Sequence, residues 1–219
     1  LLAGTDGIKL DLREQSEGFT IIGGGGNDTI IGGLGNDTIS GGGGDNNIDA
    51  GNGDDVVVFS SASALSGAAT VIGGSETDTL RFDTGGVTLA DTDFAKAVGF
   101  ERLELTGSNT VALGTDANTA GLSAVKIGSG TTSITKTHVS ALTIDAQDLA
   151  NDTTLTINDD GVTSNFTVNN LVGDLDALGV AGTLIVDLND NQADGTISLE
   201  IGIGDTTVSG GAADDNVFI

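Results

Sequence analysis

GGGGNDTIIGGLGNDTISGGGGDNNIDAGNGDDVVV, residues 23–58, decides the architecture of this chain. The stretch divides without a gap into four nine-residue units: Gly23–Ile31, Gly32–Ser40, Gly41–Asp49 and Ala50–Val58. All four follow Gly-Gly-x-Gly-x-Asp-x-apolar-x, with Ala50 replacing one leading glycine and Asn46 replacing one aspartate. One glycine-rich hexamer would carry little weight. Four units in unbroken register mark a fold made by stacking one local unit on the next.

Each position has a physical reason. Glycine adopts positive φ without steric penalty, so the first six residues can turn sharply and turn their carbonyls outward. Carbonyls beside carboxylates are the donor set of a hard cation such as calcium, which takes about six to eight oxygens. The sixth position offers the anionic oxygen in Asp28, Asp37 and Asp55, and a neutral one in Asn46. The last three residues predict a short strand with Ile30, Ile39, Ile48 and Val57 pointing inward. All four are β-branched, which suits a narrow pleated interior.

The block resembles the repeat-in-toxin (RTX) family of secreted bacterial proteins, whose nonapeptides wind into a parallel β-roll. The resemblance implies that two units make one coil and that calcium sits between turns two units apart. One edge then pairs the turn of Asp28 with that of Asn46, and the other pairs Asp37 with Asp55. The second pair is expected to bind more tightly, because the first lacks one negative charge. Two partial units extend the set: Gly73–Arg81, with Glu76 where the third glycine belongs, and Gly210–Phe218, with Ala213 there. The latter is expected to open a further array. The candidate ligands are Gly23, Gly25, Asn27 and Asp28 in the first turn, and Gly32, Leu34, Asn36 and Asp37 in the second. Gly41, Gly43, Asp45 and Asn46 follow in the third turn and Asn52, Asp54 and Asp55 in the fourth, with Asp78 and Asp215 from the partial units.

The charge agrees with the motif. Seven Lys and Arg oppose 32 Asp and Glu, a net charge of −25, and 26 of the acids are Asp. Aspartate favours turns, so the acids are expected at loop edges. Such a surface repels nucleic acid and, without counter-ions, itself. A hydrophobic content of 37% argues for a folded core rather than disorder. Cysteine is absent, so metal is the available staple for an extracellular domain. No apolar run is long enough to cross a bilayer as a helix. The resemblance implies export by a type I route, with its signal beyond Ile219.

Along the chain, residues 1–22 read as lead-in strands around Ile8–Leu12 and Phe19–Ile22. Residues 23–82 form the expected calcium roll, with a small-residue insertion at Ser60–Thr70. Residues 83–209 read as an irregular β-solenoid, and residues 210–219 as the next repeat unit. One short helix is expected over Asp93–Val98, capped by Asp91, ended by Gly99 and covering the β structure with Phe94 and Val98. Alternation then predicts strands at Glu101–Leu105, Ala124–Gly128, Ala141–Asp145, Thr154–Asn158, Asn165–Asn169, Thr183–Leu188 and Thr196–Ile201. Their irregular spacing fits a parallel β-helix or an antiparallel sandwich. The solenoid is favoured because stacking on the roll leaves no open strand edge between them. The fold class is therefore all-β, a parallel β-roll continuing into an irregular β-solenoid. Gly99–Leu113 loosely resembles repetitive regions of bacterial surface-layer and biofilm RTX proteins.

Other chemistry finds little support. Asp187–Asp194 begins like an EF-hand loop, but Gln192 and Ser198 stand where the loop needs Gly and Glu, so it reads as a solvated turn. Asn158–Gly161 reads as a turn between strands. His138 is the single histidine and cannot build a zinc site alone. The Asn-x-Thr triplets at Asn27, Asn36, Asn151 and Asn165 match a glycosylation acceptor by letter, two of them inside the metal motif. No serine has a nucleophile elbow around it, and the chain is expected not to be an enzyme. Seven Phe and no Trp or Tyr give few platforms for stacking on sugars.

The expected role is a secreted, calcium-dependent structural segment of a bacterial surface-layer, matrix or adhesin protein, at the cell surface. Calcium is its expected cofactor, self-association into a lattice or filament its expected interaction, and cell-surface polysaccharide a further candidate partner. Nucleic-acid binding and membrane insertion are not expected. Two alternatives stand beside this: a calcium-folding module of a secreted enzyme or toxin, and a module that binds or modifies polysaccharide. At Kd of roughly 10⁻⁴ to 10⁻³ M and about 1 mM calcium, one site contributes about 0.4 to 1.4 kcal/mol. Several sites reach a few kcal/mol, comparable with the stability of a modest domain.

Overall fold

Strand pairing follows the nonapeptide at a distance of two units. Thr20, Ile21 and Ile22 lie beside Thr38, Ile39 and Ser40, and Thr29, Ile30 and Ile31 beside Asn47, Ile48 and Asp49. Equivalent letters of the motif therefore stack, and successive units fall in different sheets. The computed structural model describes residues 6–137, 141–150, 153–159, 165–188, 199–201 and 204–209. Every strand pairing among those residues is parallel. The chain is a β-roll continuing into a β-solenoid, as expected, and the antiparallel sandwich is excluded.

Among the described residues, three sheets build it. The long sheet stacks ten strands: Thr20–Gly24, Thr38–Gly42, Val56–Phe59, Thr79–Phe82, Arg102–Leu105, Ala124–Ile127, Leu142–Asp145, Phe166–Leu171, Leu184–Leu188 and Thr206–Ser209. A five-stranded sheet faces its first half, with Lys9–Asp11, Thr29–Gly33, Asn47–Asn52, Thr70–Ser75 and Ala97–Val98. A six-stranded sheet follows, with Thr88–Leu89, Asn109–Leu113, Thr132–Lys136, Thr154–Asp159, Asp174–Gly179 and Leu199–Ile201. The long sheet runs without interruption from the repeats into the irregular region.

The core is a ladder of aliphatic side chains along that sheet. Ile21, Ile39, Val57, Leu80, Leu103, Val125, Ile144, Val168 and Val186 are register neighbours in turn, and all are buried. Ile30, Ile39, Ile48 and Val57, the predicted inward positions, are fully buried. Each contributes on the order of 1.5–3 kcal/mol by leaving water.

The coil widens as the chain proceeds. Equivalent turn positions are 18 residues apart in the repeats and 23 apart in the next two coils. The small-residue insertion accounts for part of the increase: it folds into helix α1 (Ala62–Ser66), whose Leu65 is fully buried and whose N-terminus is capped by the Ser61 side chain. Two more short helices follow, a 3₁₀ turn at Asp91–Lys96 and α2 at Thr115–Ala120. The 3₁₀ turn packs against both α1 and α2, so the extra residues of successive coils stack as a column. Phe59, Phe82, Phe94 and Phe100 fill the widened interior, with the rings of Phe59 and Phe82 6.0 Å apart. Isoleucine and valine suffice where the two sheets are close; the wider coils need aromatic volume.

The helix expected near Asp93–Val98 differs in three ways. It is a 3₁₀ turn that begins at Asp91, and Ala90 occupies the cap, its N–H donating to the Asp93 carboxylate. Asp91 instead accepts N–H groups of Gly114, Asp116 and Ala117 from the next coil, so its carboxylate caps α2. Phe94 is buried as expected, but Val98 is half exposed, because it lies on a strand beside Ile72 with its side chain outward. His138, Asn151, Asp160 and Gly161, Asn189–Asp194, Ser198 and the unit Gly210–Phe218 with Asp215 lie outside the described residues.

Candidate metal centres

The sixth-position side chains form two ladders, one on each edge of the roll. On the first edge the Asp28 carboxylate accepts the Ile8 N–H (2.8 Å), and Asn46 Oδ1 accepts the Asp28 N–H (2.9 Å). On the second, Asp37 accepts from Phe19 (2.7 Å), Asp55 from Asp37 (2.7 Å), Asp78 from Asp55 (2.9 Å), and Glu101 from Asp78 (2.8 Å). Each side chain thus reaches back to the main chain of the preceding coil with one oxygen. The other oxygen is what matters chemically.

Asp28, Asp55 and Asp78 each keep their Oδ2 buried without a hydrogen-bond donor, in residues at most 1% exposed. An unsatisfied buried acceptor costs about 1–3 kcal/mol, and more when it carries charge. Native proteins rarely leave such an atom alone. Asp37 Oδ2 differs by accepting the Gly33 N–H at 2.8 Å. Asn46 differs further: its amide donates to the Gly43 carbonyl at 3.2 Å, occupying an oxygen that a cation would use.

Glycine leaves room beside these oxygens. A Cβ on Gly23 would collide with Asp28 Oδ2 and with the carbonyl of Gly41, the same motif position one coil on. A Cβ on Gly32 would meet Asp37 Oδ2 and the carbonyl of Ala50 in the same way. Carboxylate oxygen and main-chain carbonyl therefore converge on one small space per coil. Among the described residues no three acidic or histidine side chains gather at one point. The remaining oxygens for an ion must come from carbonyls, and the repeating cradle brings those close. These residues fit a hard divalent cation.

Electrostatics point the same way. Burial pushes the Asp55 carboxyl up to about 7, aided by the charges of Asp78, Asp37 and Asp54 and opposed by the Asp37 N–H. Burial likewise raises Asp78 to about 6, with the Asp55 N–H opposing and Glu101, Asp54 and Glu76 adding repulsion. A cation in contact would reverse these shifts by favouring the charged form.

The fifth-position side chains build a second ladder on the solvent side. Asn27 accepts the Asp45 N–H (2.9 Å), Asn36 the Asp54 N–H (3.0 Å) and Asp54 the Thr77 N–H (3.0 Å). Asn52 accepts the Ser75 hydroxyl at 2.9 Å. These side chains run forward along the stack, opposite in direction to the inner ladder. Gly25 and Gly43 are stacked neighbours, and the side chain of Leu34 faces solvent at 51% exposure. Sequence reasoning missed Glu101 and Gly99. Glu101 lies 23 residues after Asp78, the interval that separates Asp78 from Asp55, and that spacing was the signal.

The model of the RTX calcium-binding nonapeptide repeat matches residues 22–57 in four copies. This stretch is an RTX repeat block, a calcium-binding module of a kind typical of secreted proteins. No curated protein and no solved structure matches the chain. Among the described residues no helix is long and apolar enough to cross a membrane.

Proposed function

We propose that this chain is a structural segment of a secreted bacterial surface-layer, matrix or adhesin protein, and that calcium controls its folding and its self-association. The observation that carries the reading is the set of buried Oδ2 atoms without donors at Asp28, Asp55 and Asp78, with a glycine cradle that a Cβ would fill beside those of Asp28 and Asp78. Calcium bound there by Asp28, Asp37 and Asp55 with carbonyls such as those of Gly41 and Ala50 would join each coil to the next. The Asp37/Asp55 edge holds two carboxylates and binds more tightly than the Asp28/Asn46 edge, where the Asn46 amide competes for the Gly43 carbonyl. At low calcium the turns repel one another; at extracellular calcium they lock. Neutralising part of a charge of −25 also lets copies of the chain approach. Calcium titration of the chelator-stripped protein, followed by circular dichroism and light scattering together, tests this. Structure and large particles arising over one calcium range support it. A folded monomer at saturating calcium would instead assign the chain as a calcium-folding module serving another domain.

A further inference from the structure

The carboxylate ladder outruns the repeats. The RTX match ends at residue 57, yet the second edge continues through Asp78 to Glu101 with the same hydrogen-bond pattern. We propose that Asp78, the Gly99 carbonyl and Glu101 form a further divalent-cation site at the seam between the narrow roll and the wider coils.

Three observations place it. Asp78 is fully buried and its Oδ2 has no donor. Gly73 repeats the cradle of Gly23 and Gly32: a Cβ there would collide with the Gly99 carbonyl of the next coil and come close to Asp78 Oδ2. The turn itself keeps the repeat's shape, since Glu76 takes φ 83°, beside 86° at Gly44 and 112° at Gly53 in the equivalent position. A side chain rarely adopts that conformation. The fold holds it there although the sequence no longer offers glycine. Glu101 then accepts the Asp78 N–H as Asp55 accepts that of Asp37, which brings a second carboxylate to the space.

The site has a clear function in the stack. It lies just past the change from 18- to 23-residue coils and where the five-stranded sheet reaches its last strand, Ala97–Val98. A cation there joins the calcium-dependent roll to coils whose turns are closed by other means. The ion chemistry is that of the repeats, so the site rests on the calcium reading above, and its test must be able to fail alone.

The test uses the whole chain at saturating calcium. Bound calcium per chain is counted by equilibrium dialysis and atomic emission for the unaltered protein, Asp78→Asn, Glu101→Gln and Gly73→Ala. Amide exchange is followed in the same samples over 29–58 and 79–105. Asparagine is tolerated at this motif position, as Asn46 shows, and it keeps the acceptor for the Asp55 N–H. Glu101→Gln likewise keeps the acceptor for the Asp78 N–H. Asp78→Asn and Gly73→Ala should each lose one ion and the calcium-induced protection of 79–105, leaving protection of 29–58 in place. Glu101→Gln should weaken the same ion several-fold. An unchanged ion count and unchanged protection in Asp78→Asn would overturn this site alone. An unaltered protein that binds no calcium would overturn the repeat reading with it.

Discussion

The roll of residues 20–59 and the coils that follow Phe82 share one sheet and one aliphatic ladder, yet they close their turns differently. In the roll, Asp28 and Asp55 keep a buried, donorless oxygen, that of Asp28 beside the cradle of Gly23. Downstream, Asp91 satisfies both oxygens with three N–H groups of α2. Asn109 accepts the Val87 N–H and donates to the carbonyls of Thr106 and Gly107. Lys136, fully buried, donates to the Asn165 carbonyl and lies 4.6 Å over the Phe166 ring. The lesson is that a stacked fold can be stable coil by coil through side-chain donors, or it can leave that task to an ion and so become switchable.

The largest expected difference separates packing from metal. Phe82→Ala removes a fully buried ring from a widened coil and should destabilise by about 3–5 kcal/mol with or without calcium. Denaturant melts in chelator and in calcium measure it, and a loss confined to one condition would break the comparison. Ile39→Ala in the roll should cost about 2–5 kcal/mol in calcium.

Asp55→Asn should change sign with the metal. With chelator near pH 8 it removes a buried charge and leaves the roll equally or more stable. In millimolar calcium it should lower stability by about 0.4–1.4 kcal/mol, the contribution of one site. Parallel melts sharpen the comparison, because substitutions beyond Arg102 should show no such reversal.

Acidity gives a related reversal. The metal-free fold holds protons on Asp55 and Asp78, near pH 7 and 6, that the unfolded chain releases near pH 4. Stability from these groups is thus fully present below about pH 4 and is lost as the pH rises through 6 to 7. Melting temperatures in chelator should fall over that range, while calcium affinity rises over it as protons stop competing. The smallest effect belongs to the surface. Lys126 lies 3.0 Å from Asp148 and 3.6 Å from Glu104 on the outer face, and Lys126→Ala should cost about 0.2–1 kcal/mol, fading in high salt.

Legibility in the sequence follows the same divide. The repeats announce strand, register and inward residue because each position answers to one constraint, and Ile30, Ile39, Ile48 and Val57 are where the motif places them. Beyond them, alternation located strands such as Arg102–Leu105 and Phe166–Leu171 but missed Asn109–Leu113, Thr132–Lys136, Asp174–Gly179 and Thr206–Ser209. Those strands carry Asn, Lys or Asp, or too few apolar residues to announce themselves. Lys136 shares inward parity with Ile134, but a charged residue in that position argues against a core strand until its partners are seen. The helix α1 was hidden in Ser and Ala, which mark flexible insertions as readily as short helices. Asp91 reads in the sequence as a cap on its own helix, because a carboxylate that reaches into the next coil leaves no local pattern. The cradle at Gly73 was only half legible: Asp78 belonged to a visible partial unit, whereas Gly99 and Glu101 belong to none.

Calcium-dependent amide exchange on the whole chain tests the account most directly. Removing calcium should strip protection from the roll, Thr20–Phe59, by a large factor while the strands from Ala124–Ile127 to Leu184–Leu188 stay protected. Equal protection of the roll with calcium and with chelator would contradict it.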